Sequence, residues 1–226
     1  MTGNNDALEL ADGLTADVFH QVLEIAIEGR GKLPGARKAA RSVLERTRDP
    51  EAAVKWVANQ HVVMASGQGF ATNWGGFLLS LVTIPANLAA SIFVQARAVA
   101  AIAHLRGYEL SDPRVRTAIL MVMLGPSASG RLIESGELPT SPAAVATAPA
   151  FDAKLDERVS RALFENAMNQ VGGKRLGVFI GKRIPFVGGG VGAVVDGWST
   201  AAIVRHAMRE FISRRPRITP YAEVVE

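Results

Sequence analysis

The feature that most constrains how this chain can fold is a long stretch without charge. No Asp, Glu, Lys or Arg occurs in the 41 residues from Trp56 to Ala96. A helix in water normally keeps charged residues on its solvated face, so a stretch like this must be covered by protein or by lipid. Three structures satisfy that requirement: a buried core helix, a membrane-spanning helix and a segment lying in the membrane interface. Pro85 and Asn87 in its apolar part favour the core helix over a clean span.

Hydrophobic residues recur at helical spacing through most of the chain, for example from Val18 to Ala26 and from Leu155 to Ala167. Runs of β-branched residues with period 2, and the turn dipeptides of hairpins, are essentially absent. The sequence therefore predicts an all-α fold, a single compact multi-helix domain. Its expected parts include a long apolar central helix over 76–105 and a Gly-rich C-terminal helical hairpin around Pro185.

Local signals mark where several helices begin and end. Asp49-Pro50-Glu51 and Ser111-Asp112-Pro113 combine an acidic N-cap with Pro at the first helical position. Gly107 is suited to the residue after a helix C-terminus. We expect one domain over 15–215, with tails at 1–14 and 216–226. Residues 138–151 contain three prolines and no charge, and are predicted to form a Pro/Ala-rich loop.

Composition excludes several kinds of chemistry. The chain has no cysteine, so disulfides, thiolate metal sites and Cys nucleophiles are absent. Its net charge of +4 permits an anionic partner without requiring one. Aromatic residues are only 6%, and nucleic-acid binding is not expected. The polar N-terminal residues lack a signal-peptide pattern, so we expect a cytoplasmic protein associated peripherally with a membrane.

Glycines form the sharpest local pattern. Gly173, Gly177 and Gly181 recur every four residues, and Gly188 and Gly192 repeat the spacing. A glycine inside a helix costs about 0.5–1 kcal/mol relative to Ala, so a stripe of them implies a compensating close contact between helices. Two interpretations remain: a tightly packed soluble helix pair, and a hairpin that contacts lipid.

Catalytic patterns are missing from the sequence. The four histidines are dispersed and form no metal-binding pair, and no serine lies in a nucleophile elbow. The Gly-rich segment 188–192 follows no predicted strand and lacks the Lys of a phosphate loop. Asp196 is a lone carboxylate, interpreted as buried and paired with Arg97 or Arg175. We expect no catalytic residue, no metal and no cofactor.

Several short motifs, in order, resemble the EcsC family. They are Gly69-Phe70-Ala71-Thr72-Asn73-Trp74-Gly75-Gly76, Ile84-Pro85-Ala86, Arg97, Ile102-Ala103, Gly107-Tyr108, then 181–189, Gly192-Ala193 and Asp196. The resemblance covers roughly residues 35–212. It implies a bacterial protein linked to membrane transport, since the family is named after a protein encoded beside an ABC transporter. It supplies no catalytic residues to carry over. Other members often have an acidic residue near Pro85, where this chain has Thr83 and Asn87.

Three hypotheses about function follow. The first is a non-enzymatic lipid-binding or membrane-surface-associated protein, whose partner is lipid or an anionic membrane surface. Polar residues expected to take part are Arg97 and Asp196. The second is a soluble partner of an ABC-type membrane complex, and the third is an unrecognised hydrolase. The side chains expected to contact lipid are Trp74, Phe77, Leu81, Ile84, Phe93, Phe186 and Trp198.

Overall fold

The helical periodicity of the sequence is realised as nine helices in the described part of the chain. A computed structural model describes residues 18–31, 33–66, 86–181 and 188–214, with side chains at 86–88, 168–181 and 188–196 outside that description. Helix α1 covers residues 18–28. The others are α2 (Ala36–Thr47), α3 (Pro50–Ser66), α4 (Ala86–Leu105), α5 (Pro113–Met123), α6 (Pro126–Glu134), α7 (Pro142–Ala146), α8 (Ala153–Gly181) and α9 (Gly188–Glu210).

The predicted helix boundaries are confirmed by hydrogen bonds. The Asp49 carboxylate accepts from the backbone N–H groups of Glu51 and Ala52 at 3.1 and 3.2 Å. Asp112 caps α5 in the same way, accepting from the N–H of Arg114 at 2.9 Å. Gly107 has φ +89°, and Tyr108 donates its backbone N–H to Ala103. Such a left-handed residue after α4 stops the helix and uses its last carbonyls.

A two-stranded ladder between α1 and α2 was not predicted. Gly29–Arg30 (β1) pairs antiparallel with Leu33–Pro34 (β2). The reason is the tight connection between the end of α1 and the start of α2, in which Gly29 has φ +83°. A Cβ on Gly35 would come within 2.2 Å of the Ile27 carbonyl oxygen, so the two backbones meet where no side chain fits. The ladder is too short to change the fold class.

Helix α4 is the central helix of the described bundle. It packs against α2, α3, α5 and α9. Every side chain from Ile92 to Ala103 is buried. A helix that is apolar all round belongs in a core, so for this part the core-helix interpretation is confirmed. Residues 76–85 of the predicted helix lie outside the described residues, as does the turn of the predicted C-terminal hairpin.

The predicted loop at 138–151 is partly helical and partly buried, which corrects the expectation of an irregular loop there. Residues 142–146 form α7, which packs on α5. The Ser141 hydroxyl accepts from the N–H of Ala144 at 3.4 Å, and Pro142 occupies the first helical position. A capping serine and a proline are sufficient to start one turn of helix, and the core then covers Val145.

Two further expectations concern the whole chain. The all-α prediction is confirmed. Helix dominates, and β1 and β2 form the one small sheet found among the described residues. Among the helices that the structure describes, none is both long and apolar enough to cross a bilayer. The expected boundaries of one domain over 15–215, with two tails, stay a prediction.

Candidate functional site

A cavity of about 250 Å³ lies where α4, α8 and α9 meet the corner between α5 and α6. Each long helix contributes residues one turn apart, which is the spacing that places side chains on one helix face. Helix α4 supplies Ser91 and Gln95, α8 supplies Leu163 and Ala167, and α9 supplies Ser199 among others. The cavity is therefore a product of how three helix faces converge.

One wall of the cavity is polar. Gln95 is only 8% exposed, and its Nε2 lies 3.4 Å from Ser91 Oγ and 3.4 Å from Ser199 Oγ. The Thr200 hydroxyl lies 3.5 Å from the same nitrogen. These distances are at the long end for hydrogen bonds, so the amide and hydroxyl groups hold each other weakly. A bound polar group could therefore replace one of these contacts at small cost.

The α5–α6 corner forms another side of the cavity. Gly125 has φ +81°, which turns the chain so that α6 begins directly at Pro126. Ser127 and Arg131, one turn apart on α6, line the cavity from there. Opposite them, Asn166 Nδ2 reaches the Leu124 carbonyl oxygen at 3.5 Å. Among the described lining residues, Arg131 is the only one that carries a charge.

The remaining lining is apolar. It comes from the same helices and includes Ile92, Met123, Leu124, Pro126, Ala128, Leu163, Ala167, Ala202 and Ile203. Small-molecule sites commonly combine such an apolar wall with a few polar groups that orient the ligand. The arrangement suits an amphipathic molecule of modest size. The described lining residues include no His, Asp or Glu, and so offer no carboxylate or imidazole general base to activate Ser91, Ser127 or Ser199.

A second polar pair lies deeper in the bundle, outside the cavity. His61 is completely buried in α3, and its Nδ1 donates to the Val57 carbonyl oxygen at 2.8 Å. Neither His61 Nε2 nor Arg97 Nε has a hydrogen-bond partner within the described residues. Burial lowers the pKa of His61 to about 4, although the Val57 contact opposes this and the positive charge of Arg97 adds to it. Burial also lowers the pKa of Arg97.

A Ser, His and Asp cluster occurs between α1 and α8, and it bears on the hydrolase hypothesis. His20 Nε2 lies 2.9 Å from Asp156 Oδ2 and 3.5 Å from Ser160 Oγ. A catalytic triad needs the carboxylate on one ring nitrogen and the serine on the other, so that the proton passes through the imidazole. Here both groups face the same nitrogen, and Ser160 is fully buried. This arrangement is a structural polar contact and offers no relay.

The residues predicted to contact lipid have different locations. Phe93 is 1% exposed in the core, whereas Trp198 is 74% exposed on α9, and neither lines the cavity. Five others lie outside the described residues: Trp74, Phe77, Leu81, Ile84 and Phe186. Their contact with lipid stays a prediction.

The other predicted site residues lie in α4, α8 and α9. Arg97 is buried in α4, and Asp196 lies in α9 with its side chain outside the description, so the pairing of Asp196 with Arg97 or Arg175 stays a prediction. The backbones of all the packing glycines are helical, but the contacts of these glycines are not described. These glycines are Gly173, Gly177 and Gly181 in α8, and Gly188 and Gly192 in α9.

Sequence reasoning did not find the cavity residues Ser91, Arg131 and Ser199. The one available signal was Gln95, a polar residue that interrupts an otherwise apolar helix. No pattern along the chain links α6 to the other helices. Within the described part of the chain, no cluster of three His, Asp or Glu side chains could hold a metal ion.

Comparison with known proteins gives a single result. The chain has no significant match among the curated proteins or among the solved structures. The family model of the EcsC protein family matches residues 42–215, which is most of the chain and close to the extent of the motif resemblance. The chain therefore belongs to the EcsC protein family.

Proposed function

We propose that this protein is a non-enzymatic lipid-binding protein that holds an amphipathic molecule in the cavity between α4, α8 and α9. The observation that carries the proposal is the cavity itself, which has an apolar wall and a weakly bonded polar wall. Burial of methylene groups against such a wall contributes about 0.8 kcal/mol each. The polar wall would then select how the molecule is oriented.

A surface stripe on α9 supports action at a membrane. Trp198, Ala202, Arg205 and Arg209 follow the spacing of one helix face, and Trp198, Arg205 and Arg209 are exposed. Tryptophan prefers the interface of a bilayer, and arginines near an anionic surface contribute about 1 kcal/mol each. Ala202 also lines the cavity, so the stripe and the cavity wall are continuous.

The cavity can be tested by blocking it. Ala202→Phe places a ring in the cavity, whereas Ala201→Phe makes the same change one residue away, at a position that does not line it. After delipidation, we expect a fluorescent medium-chain fatty acid to bind the wild type and Ala201→Phe, and to bind Ala202→Phe at least tenfold more weakly. Circular dichroism checks that both variants fold. Equal binding by all three proteins would place the ligand elsewhere.

Membrane association is tested separately by sedimentation with liposomes. We expect the protein to pellet with anionic vesicles more than with zwitterionic ones, and Trp198→Ala to reduce pelleting with both. Native mass spectrometry of protein purified from its own cells should show a co-purified lipid. A preparation that holds no lipid and does not pellet, but that recovers ABC transporter subunits, would favour the soluble-partner hypothesis over this proposal.

A further inference from the structure

We propose that the ligand of the cavity is a single-chain anionic amphiphile whose carboxylate or phosphate binds Arg131. This inference rests on the proposed function and adds the chemical class of the ligand. It draws on three properties of the site, which are its charge, its polar wall and its size.

The charge of the lining is one-sided. Arg131 lies one turn into α6, where it is exposed and lines the cavity. The described residues that line the cavity include no Asp or Glu, and no ion pair to Arg131 occurs among the described residues. Some other arginines are paired with carboxylates: Arg37 binds Glu28 and Glu109, and Arg116 binds Glu24. Within the described residues the Arg131 guanidinium is thus left to bind an anion, and a guanidinium matches a carboxylate or phosphate with two parallel hydrogen bonds.

The polar wall places limits on the rest of the ligand. Gln95, Ser91 and Ser199 are uncharged groups that can either donate or accept. They suit a hydroxyl or ester oxygen near the head of a ligand, but they cannot neutralise a charge. Beside them, Ile92, Leu163 and Ile203 present only apolar surface. An ionised group would thus be stable near Arg131 and costly anywhere else in the cavity.

The size of the cavity limits the apolar part to one chain. A water molecule takes about 30 Å³ in the liquid, and a methylene group needs a similar volume. A cavity of about 250 Å³ then holds about eight groups of that size, enough for most of one ten-carbon chain and too few for two chains. Decanoate and decyl phosphate are the simplest probes with these properties. Decanol has the same chain without the charge.

The inference can be tested by isothermal titration calorimetry of the delipidated full chain. The four probes are decanoate, decyl phosphate, decanol and inorganic phosphate. We expect both anionic amphiphiles to bind the wild type at least tenfold more tightly than decanol does. Arg131→Gln should remove that preference, so that the anionic amphiphiles bind this variant no more tightly than decanol does. Arg158→Gln, a change at an exposed arginine of α8 that does not line the cavity, should leave all affinities as in the wild type. A higher salt concentration should weaken the binding of the anionic probes and leave the binding of decanol unchanged.

The possible failures are distinguishable. Equal binding of decanol and decanoate would overturn this inference and leave the proposed function standing. A preference for anions that survives in Arg131→Gln would overturn the role of Arg131. Absence of binding by every chain-bearing probe would overturn both proposals. If inorganic phosphate bound as tightly as decyl phosphate, the site would bind anions without a role for the alkyl chain. That result would overturn the assignment of an amphiphilic ligand.

Discussion

At the scale of single residues, a close approach between two helices of the described bundle depends on a glycine. Helix α9 passes the end of α3 at Gly197, where an added Cβ would lie 2.1 Å from Ser66 Oγ and 3.3 Å from Ser66 Cβ. The Ser66 hydroxyl also donates to the Val62 carbonyl oxygen at 2.9 Å. A methyl group on Gly197 must therefore displace a side chain that is already bonded.

We expect Gly197→Ala to lower the free energy of unfolding by about 1 kcal/mol, because the clash outweighs the gain in helix propensity. Gly130→Ala is the matched control. Gly130 also lies inside a helix, α6, but an added Cβ there meets nothing within 4 Å. Gly130→Ala should raise the free energy of unfolding by about 0.5–1 kcal/mol, because Ala has the higher helix propensity. Urea denaturation measures both, and a gain of equal size at the two positions would contradict the close approach.

At the scale of elements, the C-terminal end of α9 is held by one arginine from the end of α4. Arg106 Nη1 donates to the carbonyl oxygens of Met208 and Phe211 at 2.6 and 2.8 Å. Its Nη2 donates to Glu51 Oε2 at 2.7 Å, which also ties in the start of α3. A cation at a helix C-terminus satisfies carbonyls that have no partner in the helix and interacts favourably with the helix dipole.

Arg106→Ala should lower the free energy of unfolding by about 2–3 kcal/mol, because three charge-assisted bonds are lost from a mostly buried site. Arg106→Lys should recover less than half of the stability that Arg106→Ala loses, since a single ammonium group cannot reproduce the planar set of guanidinium donors. Chemical denaturation with tryptophan fluorescence gives the values. Arg158→Ala, at an exposed position, should change stability by less than about 0.5 kcal/mol. If Arg106→Ala proved as mild as this control, the role assigned to Arg106 would be wrong.

At the scale of the whole molecule, the buried His61 couples global stability to pH. Its pKa in the folded protein, about 4, lies below the value of 6.5 for an unperturbed histidine. Between these two pH values the unfolded chain binds a proton that the folded protein excludes. The free energy of unfolding therefore falls as the pH is lowered from 6.5 to 4, by up to about 3 kcal/mol from this group.

We expect His61→Leu to flatten this part of the stability profile, so that it loses less stability than the wild type between pH 7 and pH 4.5. Burial also lowers the pKa of His206, and that residue contributes the same trend in both proteins. The measurement is urea denaturation at a series of pH values. Parallel profiles for the two proteins would show that His61 titrates normally in the folded state.

Much of the fold could be predicted because helix signals are local. Asp49 and Asp112 cap helices through backbone groups two or three residues away, and Gly107 ends α4 through carbonyls in the preceding turn. The apolar face of α8 follows the same rule, since Leu155, Val159 and Leu163 are buried as their spacing predicts. The ladder at Gly29 was missed because it depends on the close approach of the Gly29 and Gly35 backbones. Helix α7 was missed although its Ser141 cap and Pro142 are local signals, because the three prolines of 138–151 were interpreted as a loop.

The cavity could not be predicted, for a physical reason that its residues make plain. Gln95 and Ser199 are more than a hundred positions apart along the chain, and they meet because α4 and α9 pack together. Arg131 reaches the same space only because Gly125 turns α6 back toward them. Helical periodicity identifies the buried face of each helix separately, but it does not say which faces converge.

The charge-free stretch from Trp56 to Ala96 shows both sides of this division. The absence of charge predicted that the whole segment would be covered, but in its first part Trp56, Gln60 and Val63 of α3 are exposed. Only the tertiary structure decided what covers its last part: from Ala89 onward, α4 is enclosed by α2, α3, α5 and α9. Water is excluded equally well by protein and by lipid. The choice between them depends on which apolar faces the rest of the chain brings into contact.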